Sequence, residues 1–202
     1  MKTTGMTTME IKKINKSKVY HLIYDSRTIS KQGIASALEM GMNTVTHNLK
    51  LLEEEGMIER KGCFESTGGR KARAIRILPT ARISLGIEIL RKRLHIAAVD
   101  LYGNILEQES YTIPFQVSSA YCEQVGQKVN AFTEKYAFSP SRILGAAIAI
   151  QGLISTDGSS VSYGRVLDHT GMKLSDFARH IPYPCRLEHD SKAAGYLETW
   201  HQ

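Results

Sequence analysis

A chain of 202 residues with 42% hydrophobic content has material for one large or two small domains with a true core. No apolar run nears the length of about 18 residues that a membrane helix needs. The polar start MKTTGMTTMEIKKINK has no signal-peptide core, and Cys63, Cys122 and Cys185 form no CxxC pair, so a reducing cytoplasm, no metal and no disulfide framework are expected. The net charge of +6 is carried by residues 1–80, with 14 Lys/Arg against 8 Asp/Glu, while residues 81–202 hold 12 of each. That asymmetry predicts a nucleic-acid-binding module joined to a neutral one.

Residues 10–25, EIKKINKSKVYHLIYD, put Ile11, Ile14, Val19, Leu22 and Ile23 mostly on one face of a first helix. Ser30 reads as the N-cap of KQGIASAL, with Ile34, Ala35 and Leu38 inward. A tight turn follows at 39–41, where Glu39 stands at a position that such turns often give to Gly. The next helix runs from about Met42 to Glu55 and buries Val45, Leu49 and Leu52. Ala35 and Val45 are ten apart, which suits the small inward residue and the packing residue of a helix-turn-helix. Gly56 ends that helix. MIERKG then reads as a strand, CFESTGG as a loop and ARAIRI as the returning strand, with Ile75 and Ile77 inward and Arg76 outward.

Helix, helix-turn-helix and basic ribbon together predict a winged helix-turn-helix over residues 1–79. On this reading Asn43, Thr44, Thr46, His47 and Lys50, opposite the buried stripe, face base edges or adjacent phosphates of double-stranded DNA. Arg60, Lys61, Arg70, Lys71 and Arg73 flank the wing loop and are expected to contact phosphates, or to send an Arg into the minor groove. Surface solvation accounts equally well for any one of them, and less well for the cluster.

Residues 80–202 open with three strand-like runs, 83–90, 94–101 and 105–115, the second turn marked by Tyr102-Gly103-Asn104. A helix is predicted at about Ser119–Tyr136. The continuously apolar ILGAAIAI (143–150) suits a strand buried on both faces. A Gly/Ser/Thr-rich loop follows at 151–172, with a small hairpin near Val161–Val166. Then come a short helix at Leu174–Ile181, the strand CRLEH (185–189) and a helix at 190–200. The order β-β-β-α-β-α-β-α predicts a mixed sheet with helices on both faces.

Three segments carry a family resemblance: STGGR at 66–70, after the helix TVTHNLKLLEEEGMI; GIEILRKRLHIAAVDLYGNIL at 86–106; and IPYPCRLEHDSKAAGYLETW at 181–200. They resemble the ROK family of repressors and sugar kinases. The resemblance implies an α+β chain: a winged helix-turn-helix followed by the first lobe of an actin-like, sugar-kinase-type fold, its second lobe absent. In ROK kinases the first hairpin reads roughly Gly-Val-Asp-Ile-Gly-Gly-Thr-Lys, whose glycines let ATP phosphates approach bare backbone. Here Leu90 and Arg91 stand in place of the two glycines. The cluster Arg91, Lys92 and Arg93 still attracts anions, but the tight phosphate turn is lost.

The resemblance also implies a sugar site. Asp190 matches the family's sugar-kinase base, with His189 in place of an Asn, and Gln151-Gly152 stands where the family has Pro-Gly. Gly152, His189 and Asp190 are therefore the candidate sugar-contacting residues, although helix capping alone explains Asp190. The expected protein is a sequence-specific DNA-binding regulator of sugar-metabolism genes. It is expected to be non-catalytic, free of cofactors, homodimeric, and without membrane association. The alternatives are an ATP-dependent ROK-type sugar kinase and a pure interaction module. ATP binding separates the first alternative from the regulator, and DNA binding the second.

Overall fold

The computed structural model describes residues 7–63 and 73–192 and divides the chain into two compact units, Met1–Ala81 and Arg82–Gln202. In the first unit, helix α1 (Thr8–Ser26) starts at a capping box: Thr7 Oγ1 accepts from Glu10 N at 3.2 Å, and Glu10 Oε2 accepts from Thr7 N at 2.7 Å. Those bonds hold the Glu10 carboxyl below its usual range. Only Val19 and Ile23 of α1 are buried. Ile11 and Ile14, expected to share their face, are 43% and 38% exposed, because the first turns run past the buried core.

A two-residue strand β1 (Ile29–Ser30) leads into α2 (Lys31–Ala37), capped by Ser30 Oγ, which accepts from Gly33 N at 3.0 Å. Glu39 then takes φ +51°, the left-handed conformation that Gly adopts without cost. Helix α3 (Met42–Glu54) buries Val45, Leu49 and Leu52. It ends in a Schellman motif at Gly56, φ +65°: Gly56 N donates to Glu53 O and Met57 N to Leu52 O, both at 2.9 Å. Strands β2 (Ile58–Cys63) and β3 (Arg73–Ile77) pair antiparallel, and β1 adds to β3, giving the order β1-β3-β2. Ile75 and Ile77 close the core, and Arg76 points outward to Glu59.

The second unit is built on a five-stranded mixed sheet, ordered β10-β7-β4-β5-β6. The strands are β4 (Ile83–Ile89), β5 (Leu94–Val99), β6 (Ile105–Tyr111), β7 (Ile143–Ile150) and β10 (Cys185–His189). β4, β7 and β10 run parallel; β4-β5-β6 is an antiparallel meander. One sheet face, with Leu85, Ile87, Leu94, Ile96 and Ile148, packs against Val125, Val129 and Phe132 of α4 (Ser119–Lys135) and Phe177 of α5 (Leu174–Ala178). At Gly126 a β-carbon would lie 2.5 Å from the His180 carbonyl, so α4 and the turn after α5 meet there only over glycine. Lys135 Nζ and the Tyr136 hydroxyl bond Glu109 at 2.5 and 2.9 Å, tying the end of α4 to the edge strand.

Of the three helices expected around the sheet, α4 and α5 share one face, and most of the third, at 190–200, lies outside the described residues. The chain crosses β6→β7→β10 in a single direction, and right-handed connections put both helices on the same side. For the same reason β7 is buried on one face only: Gly145, Ala147 and Ala149 are half-buried. The small hairpin lies elsewhere than expected. β9 (Val161–Tyr163) pairs with the earlier β8 (Leu153–Ile154), and residues 164–166 are not strand. Residues 190–192 are helical; the remainder of the expected helix at 190–200 lies outside the described residues.

Candidate functional site

Two sites emerge, one in each unit. On α3 the 3.6-residue period turns Val45, Leu49 and Leu52 inward, and Asn43, Thr44, Thr46, His47 and Lys50 are all exposed. Thr46 Oγ1 donates to Met42 O at 2.6 Å, which fixes its hydroxyl. Asn48, buried in the opposite stripe, donates to Thr44 O at 2.9 Å.

The end of α3 carries Glu53, Glu54 and Glu55, three carboxylates at the negative pole of a helix. Each has a cation beside it: Glu53 binds Arg60 through two bonds, Glu54 lies 3.7 Å from Lys50, and Glu55 lies 2.5 Å from Lys16. Arg60, expected as a phosphate contact, is therefore engaged within the unit, and Arg76 is held by Glu59. Lys61 and Arg73 are exposed on the ribbon. Arg70 and Lys71 lie outside the described residues.

In the second unit the parallel strands β4, β7 and β10 end at one sheet edge, with Ile89 beside Ile150 and Ile150 beside His189. The segments leaving β7 and β10 bring Gly152, His189 and Asp190 together in an open cleft of 420 Å³, completed by Gln151, Leu153, Tyr163, Arg165 and Val166. Gly152 has φ +144°, and a β-carbon there would sit 2.8 Å from the Tyr163 carbonyl oxygen, so no other residue fits the turn. His189 caps the helix that starts at residue 190: its Nδ1 accepts from Ser191 N at 3.2 Å. The same amide is shared with Asp190, of which capping was expected. Asp190 Oδ1 accepts from Ser191 N at 2.7 Å and lies 3.2 Å from His189 Nδ1. A carboxylate beside an imidazole at a cleft mouth is suited to hydrogen-bonding a hydroxyl-rich ligand.

The β4–β5 turn closes as an ordinary hairpin, Leu90 N donating to Arg93 O at 3.0 Å. None of its residues has positive φ, and Leu90 and Arg91 put side chains where a phosphate would need bare backbone. Arg91 Nη2 instead donates to Val166 O at 2.5 Å. Sequence reasoning missed Tyr163, Arg165 and Val166, because their loop has no hydrophobic period to place it.

The profile of the ROK family matches residues 84–202. The DNA-binding transcriptional dual regulator NagC of Escherichia coli K12 is 26% identical over 193 residues, which are 94% of this chain and 47% of that protein. The xylose repressor of Caldicellulosiruptor bescii is 22% identical over 192 residues, 94% of this chain and 48% of its own length. Among solved structures, a ROK family transcriptional regulator, a homologue of the E. coli MLC protein, superposes with a TM-score of 0.67 at 22% identity, over 94% of this chain and 48% of that one. The chain thus spans about half the length of the curated relatives it matches.

Proposed function

This chain belongs to the ROK family, and on that footing we propose that it is a sugar-responsive transcriptional regulator that binds double-stranded DNA. The first unit acts as a winged helix-turn-helix: α2 and α3 form the helix-turn-helix and β2–β3 the wing. The observation that carries this is the polar face of α3, where Asn43, Thr44, Thr46, His47 and Lys50 stand together opposite a fully buried stripe. Such a helix enters the major groove, while Lys61, Arg73, Arg70 and Lys71 lie along phosphates. The names of its relatives, a DNA-binding transcriptional dual regulator and a xylose repressor, support the same reading. A DNA target sets the protein in the cytoplasm. A symmetric dimer over two half-sites supplies the reading length that one helix lacks.

The second unit is a sensing lobe rather than a kinase. Its cleft offers Gly152, His189 and Asp190 to a sugar, while the substituted β4–β5 turn provides no phosphate cradle. The test is selection of bound duplexes from a random pool by the full chain, repeated with N-acetylglucosamine or D-xylose present. Enrichment of one repeated motif, weakened by a sugar, is the expected result. Recovery of unselected DNA at all sugar concentrations would refute the proposal.

A further inference from the structure

The β4–β5 turn has a role that its loss of phosphate geometry leaves open. β4 and β7 end side by side, so the turn at residues 90–93 is adjacent to the segment that leads into the cleft at Gly152. Three bonds converge on this turn. Arg91 O accepts from Phe115 N at 3.0 Å, the Arg91 side chain donates to Val166 O at 2.5 Å, and the turn itself closes through Leu90 and Arg93. The circuit has a second arm. The Phe115 ring meets the His169 ring edge-on at 5.6 Å, and His169 N donates to Gly164 O at 3.0 Å. Gly164 and Val166 thus belong to one loop, held from the turn by a charged hydrogen bond and from Phe115 by ring packing.

That loop is the cleft's outer wall. Arg165 and Val166 line it; Val166 is 57% exposed, while Gly164 and Leu167 on either side are buried. Between those buried anchors the exposed Arg165–Val166 span has no packing of its own and needs a tether to keep a defined shape.

We propose that Arg91 is a positioning residue for the cleft: it braces the 164–166 wall from the turn that in kinases would hold nucleotide, and so preorganises the sugar site with no nucleotide bound. The inference rests on reading the cleft as a sugar site. It makes Arg91 act through Val166, without touching the ligand itself.

The test compares full-length wild type, Arg91→Ala and Arg91→Lys. Hydrogen exchange of the amides at 163–167 is measured without sugar, and N-acetylglucosamine and D-xylose are titrated by calorimetry. Arg91→Ala should raise exchange in that segment alone and weaken the bound sugar roughly three- to tenfold, the net size of one ordinary hydrogen bond. The melting temperature should shift by no more than about 2 °C. Arg91→Lys, which keeps a cationic donor, should recover most of both effects. Unchanged exchange at 163–167 overturns the brace, whatever the sugar does. Faster exchange with unchanged sugar affinity overturns its link to the ligand. If wild type binds neither sugar, the sugar reading fails by itself, and the exchange result still decides the brace.

Discussion

Lys50 and Arg60 carry the same charge in different company. Lys50 lies on the exposed face of α3, 3.7 Å from the solvent-facing Glu54; Arg60 is gripped by both oxygens of Glu53. Lys50→Ala or Thr46→Ala should therefore relax preference at one or two base pairs, costing about 1–3 kcal/mol there in competition binding. Arg60→Ala should instead lower stability by about 0.2–1 kcal/mol, and a double-mutant cycle with Glu53→Ala should recover that coupling. Additive effects in the cycle would return Arg60 to the DNA-contacting set. The face of α3 was legible because a helical period is local. The Glu53–Arg60 pair was not, because the chain reverses at Gly56 between them and charge alone does not choose partners. His169 was equally hidden. It is 1% exposed, neither ring nitrogen has a hydrogen-bond partner among the described residues, and burial depresses its pKa. The unfolded chain thus binds this proton more readily than the folded one, so stability should fall as pH drops below about 6.5. His169→Leu should flatten that part of a melting-temperature profile measured from pH 7.5 to 5.5.

Among elements, the turn at Glu39 and the β4–β5 turn show opposite uses of a missing glycine. Glu39 holds a left-handed conformation at an exposed site. Glu39→Gly should stabilise the unit by about 0.5–1 kcal/mol in urea unfolding, and a loss of stability would mean that the Glu side chain has work of its own. Leu90 and Arg91 avoid that conformation, and calorimetry with Mg-ATP at millimolar concentration should register no binding. Phosphorylation of any hexose by the purified chain would restore the kinase reading. Most elements could be read from periodicity and turn residues: Ser30 capping α2, Gly56 closing α3, the meander of β4 to β6. The helix start at Thr7 is also written in the spacing of Thr7 and Glu10, ahead of the apolar positions that mark the helix. What stayed out of reach was anything set by crossing direction, such as the shared face of α4 and α5, or by pairing of very short strands, as in β1 and β8.

For the molecule as a whole, the charge split is the strongest handle. With the net +6 confined to residues 1–80, DNA affinity should fall with salt at a log–log slope of about −4 to −8, as for roughly 5–8 phosphate contacts. A flat response between low and physiological salt would contradict a phosphate-borne interface. Sedimentation at micromolar concentration should find a dimer, and a monomer occupying a non-repeated site would count against the half-site arrangement. The two units also differ in how far apart their paired segments lie along the chain. In the first, the helices follow one another closely and β2 meets β3 after a short return; its distant strand pairing, β1 with β3, is only two residues long. In the second, the central sheet forms only when Ile83–Ile89 finds Ile143–Ile150, and that strand in turn finds Cys185–His189. Contacts that span so much chain delay the folding barrier, whereas local ones do not. On a ribosome, the basic unit emerges first and has its partners at hand, while the sheet must wait for its last strand. Refolding from denaturant should accordingly resolve a fast phase for the first unit and a slow one for the second. Newly made protein therefore passes through an interval in which the basic unit is folded before the lobe that would govern it.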